Sequence, residues 1–138
     1  MKSSYFMLVT IISALVLVAY TYLTAVPDCV GKTGLNPPAY GGSQHYGLHR
    51  LINIIHYEEC YCFNLTEEQF AALKRDMDKE GDWKFSDEAL EEFFTMDLKS
   101  FRSEKGLYGL REPKGDWRGT WFFYCPRREL LHVGTFQR

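Results

Sequence analysis

The chain has 138 residues, of which 46% are hydrophobic and 16% aromatic, and its formal net charge is -2. A chain of this length holds one domain of ordinary size, and its aromatic content excludes a disordered chain, because such chains lack the large apolar side chains that form a core. The slightly negative charge argues against nucleic acid as a partner, since binding to phosphates needs a surplus of lysine and arginine.

The first element is an uncharged, apolar segment, residues 6–25, which begins at Phe6 and ends at Ala25. A helix needs about 20 apolar residues to cross the hydrocarbon core of a membrane. Three tyrosines lie toward the ends of the segment, where aromatic rings favour the membrane interface: Tyr5, Tyr20 and Tyr22. We therefore predict a membrane anchor or signal segment over residues 1–27.

The charge beside this segment predicts its orientation. Lys2 precedes it, and positive charge favours the cytoplasmic side of a membrane. We expect a single-pass membrane protein with a cytoplasmic N-terminus and an extracytoplasmic domain, either periplasmic or extracellular. The segment is longer than the apolar core of most secretory signals, which favours a retained anchor. Cleavage after Ala25 remains the alternative, and it would make the protein secreted.

Residues 28–44 are rich in glycine, proline and asparagine, which predicts an irregular tether between the membrane and an extracytoplasmic domain of residues 45–138. Apolar residues then recur at helical spacing from Leu48 to Ile55, so we expect a short helix within residues 48–58. Aromatic residues and cysteines at positions 59–63 favour a strand, which stops at Asn64.

The clearest helix begins after Thr66, an N-cap residue that is followed three positions later by Gln69, as in a capping box. Gly81 is its stop signal. The apolar stripe of this helix consists of Phe70, Leu73 and Met77. A second helix is predicted to follow, with Ser86 as its cap, and the residues expected to face the core are Leu90, Phe93 and Phe94.

The C-terminal part of the chain predicts strands. We expect a short strand at residues 107–110 and a β-hairpin of residues 119–125 and 130–136, joined by a turn that begins with Pro126. Both faces of residues 119–125 are apolar, so this strand should be central or covered on both sides. The fold class is α+β: an N-terminal transmembrane or signal helix, then a small antiparallel sheet with two packed helices and a C-terminal β-hairpin.

Four cysteines lie beyond the apolar segment: Cys29, Cys60, Cys62 and Cys125. An even number in an exported domain predicts disulfides, and Cys60 and Cys62 are too close in sequence to pair with each other without strain. Each would therefore pair with Cys29 or Cys125, in either of two arrangements. The alternatives are a Cys-x-Cys redox pair and a thiolate metal site, both of which need reduced thiols.

The histidines are the remaining candidates for metal ligands. His45 and His49 are four residues apart, a spacing that zinc can use on a helix, but no spacing supplies a third ligand. His56 precedes the Cys-x-Cys segment, and His132 lies in the last predicted strand. We expect these histidines to be exposed or hydrogen-bonded, and we predict no bound metal, no cofactor and no catalytic group.

The charges are divided along the chain. Thirteen acidic and four basic residues lie between Glu58 and Asp97, whereas nine basic and four acidic residues follow from Lys99 onward. Arginine and tryptophan are typical of interface hot spots, so the basic C-terminal hairpin predicts a surface that contacts a partner. The candidate contact residues are Arg118, Trp121, Arg127 and Arg128.

These patterns favour a non-enzymatic, membrane-tethered extracytoplasmic module that binds another membrane-associated protein. It would act as an accessory subunit of a membrane complex or as an inhibitor or immunity-type factor. The alternative is a small thiol-redox or metal-handling protein that uses Cys60, Cys62 and nearby histidines. A third possibility is that the membrane helix is itself the functional contact.

Overall fold

A computed structural model of the chain describes residues 2–45, 60–87, 105–112 and 118–136. The predicted helix within residues 48–58 lies outside the described residues, and so does the part of the second predicted helix that follows residue 87. The described ranges form a long N-terminal helix, a second helix and a six-stranded antiparallel sheet. The predicted α+β class is therefore confirmed.

The six strands follow the order β1-β2-β6-β5-β4-β3 across the sheet. Their bounds are β1 Ser43–Gln44, β2 Cys60–Asn64, β3 Trp83–Ser86, β4 Leu107–Arg111, β5 Gly119–Cys125 and β6 Leu130–Phe136. β5 pairs with β6 along its whole length, from Gly119 opposite Phe136 to Cys125 opposite Leu130. All residues of β5 are buried and both its neighbours are strands, so this strand is central and covered on both sides, as predicted.

Helix α1, Lys2–Thr33, carries two different surfaces along its length. From Tyr5 to Leu23 it exposes large apolar side chains, and it is long and apolar enough to span a membrane or to be a signal sequence. Ala25 and Cys29 are only 1% and 0% exposed, because the last turns of the helix pack on the sheet beside β6. The apolar helix therefore continues directly into the core of the domain.

The irregular tether predicted over residues 28–44 is more regular than expected. α1 continues through Pro27 as far as Thr33, a 3₁₀ turn covers Pro37–Tyr40, and β1 then pairs with β2. Packing explains the difference, because residues 25, 29 and 33 form one buried stripe on α1. Contact with the sheet stabilises this stripe and outweighs the low helix propensity of Pro27 and Gly31.

Helix α2, Glu67–Glu80, has the capping box that the sequence predicts. The Thr66 Oγ1 accepts a hydrogen bond from the Gln69 backbone N at 3.2 Å, and the Gln69 Oε1 accepts one from the Thr66 backbone N at 2.9 Å. Gly81 ends the helix in the left-handed region, at φ 75°, where a residue without a Cβ is favoured. The predicted stripe is buried: Phe70, Leu73 and Met77.

The 3₁₀ turn is fastened to the side of α2. The Tyr40 hydroxyl donates a hydrogen bond to the Asp76 carboxylate, and the Gln69 amide donates one to the Gly41 carbonyl at 3.3 Å. The bond to Asp76 raises the pKa of Tyr40 and lowers the pKa of Asp76. These contacts hold the segment that follows α1 against the second helix.

A buried core lies on each side of the sheet. On the side that α2 covers, called the helix face, the Phe70 ring stacks on Tyr124 with centroids 4.0 Å apart and meets the edge of Phe122 at 5.6 Å. The opposite side is called the far face, and its core consists of Tyr108, Leu110, Trp121, Phe123, Cys125 and Phe136. Side chains alternate between the two faces along each strand, so the position of a residue decides which core it joins.

The sequence does not predict strand β3. Trp83 and Phe85 pack in the helix-face core, while Lys84 between them is exposed, but four residues are too few for this alternation to stand out. Ser86, the predicted cap of the second helix, is the last residue of β3 and lies opposite Tyr108 of β4, and the residues that it would cap lie outside the described ranges. The pairing with β4 stabilises this strand, and that pairing is not visible in the local sequence.

Arg111, the last residue of β4, joins the ends of both helices to the sheet. Its Nη2 donates a hydrogen bond to the Thr33 carbonyl at the end of α1, and its Nη1 donates one to Glu80 Oε2 at 3.1 Å. The guanidinium also lies over the Trp83 ring, 4.9 Å from its centroid. Thr120 Oγ1 donates a further hydrogen bond to the Thr33 carbonyl at 3.4 Å. A cation at the C-terminus of α1 interacts favourably with the helix dipole.

We expect Arg111→Met to lower the free energy of unfolding of the domain by about 2 kcal/mol, because it removes two charge-assisted hydrogen bonds. Chemical denaturation in detergent, followed by tryptophan fluorescence, measures the change. Lys84→Met is the matched control, because Lys84 lies on the neighbouring strand with its side chain 67% exposed. The control should change stability by less than about 0.5 kcal/mol. Equal losses in the two variants would contradict the role of Arg111.

Candidate functional site

All four cysteines carry thiols in this structure, so the predicted disulfides are not formed. Cys29 belongs to the helix-face core, where its Sγ lies 3.7 Å from the Leu35 carbonyl oxygen. Cys60 and Cys125 pack in the far-face core, and Cys62 shares the face of Cys60 because the two are two residues apart in one strand. The sheet therefore separates Cys29 from the other three cysteines.

The strand order also keeps Cys125 away from Cys60 and Cys62. β6 lies between β2 and β5, so two strand spacings of about 4.8 Å separate Cys125 from both. Cys125 is opposite Leu130 of β6, and Leu130 is in turn opposite Asn64 of β2. Cys62 and Cys60 lie two and four residues away from Asn64 along β2, which increases their distance from Cys125. A disulfide needs Cα atoms within about 7 Å of each other. Neither predicted pairing is therefore seen in this structure, whereas Cys60 and Cys62 do share a face.

The same register places a cysteine between two histidines on neighbouring strands. Cys62 is directly opposite His132 of β6, and His45, which follows β1, donates its backbone N to the Cys62 carbonyl at 2.9 Å. Residues that are opposite in antiparallel strands point to the same face, with Cβ atoms about 4.5–5.5 Å apart. His45, Cys62 and His132 therefore line up on the far face, and we call these three residues the Cys62 row.

The members of the Cys62 row differ in exposure. His132 is 6% exposed, and its ring lies beside that of Phe123 with centroids 6.2 Å apart. His45 is half-buried, and its Nδ1 is 3.2 Å from the Asn64 side-chain oxygen. Cys62 is also half-buried, so water reaches part of this residue. The row thus combines a buried histidine with a half-buried cysteine.

Cys60 shares the strand, the face and the partial exposure of Cys62 but has a different neighbour on β6. It is opposite Gly134, which has no side chain. The Trp121 ring occupies the space over that glycine, because a Cβ added to Gly134 would lie only 2.3 Å from Trp121 Cζ2. Cys60 therefore faces an indole and a glycine where Cys62 faces an imidazole.

Metal binding has no support from the described ranges. Within residues 2–45, 60–87, 105–112 and 118–136, no group of three or more His, Cys, Asp and Glu residues is arranged to hold a metal ion. His49 and His56 lie outside those ranges, so the predicted spacing of His45 and His49 stays a prediction. The chemistry open to the Cys62 row is that of a thiol beside an imidazole, which can accept the thiol proton.

The four predicted contact residues do not form one surface. Arg127 and Arg128 are exposed in the turn after β5, whereas Arg118 is exposed just before it. The seven residues of β5 separate the two positions, which corresponds to about 20 Å. Trp121 is 4% exposed in the far-face core, so its predicted role in partner contact is wrong. A position in a central strand buries this indole.

The turn that carries Arg127 and Arg128 is held by the loop before α2. The Leu65 backbone N donates to the Glu129 carbonyl at 2.9 Å, and the Tyr124 hydroxyl donates to the Leu65 carbonyl at 2.9 Å. Burial, with smaller effects from nearby acidic groups, raises the pKa of Tyr124 to about 12, so its hydroxyl remains a donor at neutral pH. The two arginines therefore project from a well-supported turn.

Sequence reasoning missed the pairing of Cys62 with His132. The two residues are 70 positions apart, and only the register of β2 on β6 brings them together. In the sequence, the signal for this site is that one predicted strand contains a cysteine and another contains a histidine. That signal does not specify which strands pair or in which register.

Comparisons with protein-family models, curated proteins and solved structures found no match for this chain. Three features of the structure bear on its function: the two surfaces of α1, the exposed arginines of the turn and the Cys62 row.

Proposed function

We propose that the chain is a single-pass membrane protein whose extracytoplasmic domain binds another membrane-associated protein. It would act as an accessory subunit of a membrane complex or as an inhibitor or immunity-type factor. The observation that carries the proposal is the change of surface along α1, which is exposed and apolar as far as Leu23 and has one buried face from Ala25 to Thr33. An apolar surface of this length is favourable in lipid and unfavourable in water.

The packing of α1 supports a retained anchor over a cleaved signal. Cleavage after Ala25 would remove a residue that is 1% exposed, and it would place an α-amino charge on Val26, which packs partly buried against the helix-face core. A charge at such a position loses hydration, which costs free energy. The intact mass of the purified native protein tests this point. We expect residues 1–25 to be present, whereas a mass that begins at Val26 would mean a secreted protein.

The connection between anchor and domain favours a partner in the same membrane. The Thr33 carbonyl at the end of α1 accepts hydrogen bonds from Arg111 and Thr120, so the end of the helix is held against the sheet. A domain attached in this way keeps a constant height and orientation above the bilayer, which raises its effective concentration toward membrane partners. Lys2 before the span supports an extracytoplasmic location of the domain.

Arg127 and Arg128 remain the best candidates for the contact surface. Both are exposed on the supported turn. Arginine is frequent at interface hot spots, because its planar guanidinium binds a carboxylate through two hydrogen bonds. An acidic surface segment on the partner is the chemistry that this pair fits.

Reversing both charges, Arg127→Glu with Arg128→Glu, is expected to lower capture of the partner at least about tenfold, because like charges then face each other. Folding should be unaffected, since both side chains are exposed. Capture is measured by purifying the intact chain in mild detergent and quantifying bound proteins by mass spectrometry. Lys79→Glu with Lys84→Glu is the control, because it makes the same change in net charge at two other exposed side chains.

The outcomes separate three explanations. Lost capture in the arginine variant alone supports the turn as the contact surface, and equal capture by both double variants would contradict it. A third variant replaces residues 6–23 with an unrelated apolar span and leaves the buried end of α1 intact. If that variant alone loses the partner, the contact lies in the membrane helix.

A further inference from the structure

We propose that Cys62, with His132 opposite it, is a thiol–disulfide exchange site whose substrate is a disulfide. This site lies on the far face of the sheet and differs from the arginine turn proposed as the partner contact. It depends on the proposed external location only for the supply of disulfides, which persist in oxidising compartments. The exchange itself can be tested with an added disulfide wherever the domain resides.

Exposure singles out two of the four thiols as reachable. Cys29 and Cys125 are 0% and 3% exposed, so a disulfide in solution does not reach them. Cys60 and Cys62 are half-buried, and the sheet geometry keeps both from forming a bridge within the chain. Thiols that cannot be bridged internally react with external disulfides when they are accessible in an oxidising compartment.

The residue opposite each of these two cysteines decides which one is activated. The thiolate is the attacking species in disulfide exchange, so a neighbouring group that accepts the proton increases the rate. His132 of β6 is directly opposite Cys62, and His45, which follows β1, lies next to Cys62 at the other edge of β2. Cys60 is opposite Gly134. Among the described residues, the titratable groups beside Cys62 on this face are His45, His132 and Cys60.

The reaction is a single displacement. The Cys62 proton passes to the His132 imidazole, and the thiolate attacks one sulfur of the substrate R–S–S–R. A new sulfur–sulfur bond forms between Cys62 and that sulfur as the old bond breaks. The second sulfur leaves as a thiolate and takes the proton from the imidazolium. Cys62 is thereby oxidised to a mixed disulfide, and half of the substrate is reduced to a thiol.

The strand geometry also predicts that the mixed disulfide persists. Cys60 is the nearest second thiol in β2, but residues two apart in a strand have roughly parallel side chains and Cα atoms about 6.6 Å apart. A disulfide needs Cβ atoms within about 4.5 Å of each other, so Cys60 is not placed to displace the adduct. The site therefore attaches a thiol group covalently and does not turn over as a Cys-x-Cys redox pair.

The test uses the full chain in detergent with oxidised glutathione as the substrate. Peptide mapping by mass spectrometry gives the rate of adduct formation at each cysteine between about pH 6 and pH 9, which brackets ordinary thiol ionisation. Near pH 7, Cys62 is expected to react at least about tenfold faster than Cys60, and this ratio should shrink above about pH 8.5, where both thiols ionise. Comparable rates for Cys60 and Cys62 in the unmodified protein would overturn the proposal.

Two variants assign the difference to the imidazole. His132→Gln should reduce the rate at Cys62 to about that of Cys60. Cys60→Ser should leave the rate at Cys62 unchanged and so excludes participation of the second thiol. If His132→Gln fails to fold because its position is buried, the comparison of the two cysteines within the unmodified protein still decides. A folded His132→Gln variant that keeps the full Cys62 rate would refute the assistance by His132.

A second substrate identifies the natural source of the disulfide. The rate at Cys62 is compared between oxidised glutathione and a peptide dimer joined by one disulfide. Faster reaction with glutathione supports the site and assigns it to small thiols, whereas faster reaction with the peptide supports the site and assigns it to protein cysteines. Failure of Cys62 to react with either substrate would overturn the site. Neither result depends on Arg127 or Arg128, so this test and the capture test fail independently.

Discussion

Phe122→Ala should lower the free energy of unfolding by about 3–5 kcal/mol, the largest loss that we expect from a single side chain. Phe122 is 0% exposed at the centre of β5, and its ring contacts Phe70 and Trp83 with centroids 5.6 Å away in each case. Removal of the ring loses this burial and leaves a cavity that neighbouring strands cannot close. Denaturant unfolding in detergent, followed by tryptophan fluorescence, measures the change.

Phe85→Ala is the matched control for this prediction. Phe85 contacts the same ring, with centroids 6.1 Å apart, but it is only half-buried on edge strand β3. Its loss should be about half that of Phe122, because less apolar surface returns to water. A loss below about 1 kcal/mol for Phe122→Ala would contradict the packing of Phe122 against Phe70 of α2.

Gly109→Ala is expected to destabilise the domain by about 3 kcal/mol, although it adds a single methyl group. Gly109 of β4 is directly opposite Phe122, and a Cβ at this glycine would lie 1.9 Å from Phe122 Cε1. The ring cannot move aside easily, because it is enclosed in the core. The same unfolding measurement applies, and thermal unfolding should show a lower midpoint.

Two further variants separate steric overlap from other effects of replacing glycine. Gly31→Ala adds the same methyl group where no atom lies within 4 Å, and it should stabilise the last turns of α1 by up to about 1 kcal/mol through helix propensity. The double variant Gly109→Ala with Phe122→Ala should lose less stability than the sum of the single variants, because removal of the ring relieves the overlap. Simple additivity would contradict direct contact between these two residues.

Gly109 and Phe122 are one of three glycine–aromatic pairs in the sheet. In each pair, the aromatic ring of one residue fills the space that a side chain on the opposite glycine would occupy. The pairs are Gly109 with Phe122, Gly119 with Phe136, and Gly134 with Trp121. The rings cover the backbone at these glycines and restore the packing that glycine lacks. Composition alone shows eleven glycines and a high aromatic content, but the register is needed to see that they pair.

The parts of the fold that the sequence predicted well depend on local interactions. The cap of α2 follows from Thr66 and Gln69, which are three residues apart, and its end follows from Gly81. The bounds of β5 and β6 follow from continuous apolar runs separated by a turn that begins with Pro126. Signals of this kind lie within one window of sequence and do not depend on which strands pair.

The errors concern contacts between distant parts of the chain. The disulfide prediction treated the four cysteines as equally available, whereas β6 lies between β2 and β5 and α1 lies on the other face. Trp121 was predicted at a contact surface because tryptophan beside arginines is typical of interface hot spots, but its position in the strand points it into a core. The candidate site could not be predicted for the same reason, since Cys62 meets His132 only through the register of β2 on β6.

The lengths of the outer strands bear on how copies of this chain would behave under the proposed membrane anchoring. The long, largely apolar strand β5 is enclosed, and the described sheet ends in β1 with two residues and β3 with four. A sheet edge offers backbone hydrogen bonds to any neighbouring chain, and a short edge offers few of them. Under the proposed membrane anchoring, copies of the domain would meet each other often because they would be confined to two dimensions. The short outer strands of the described sheet therefore offer little edge for pairing between copies of this chain.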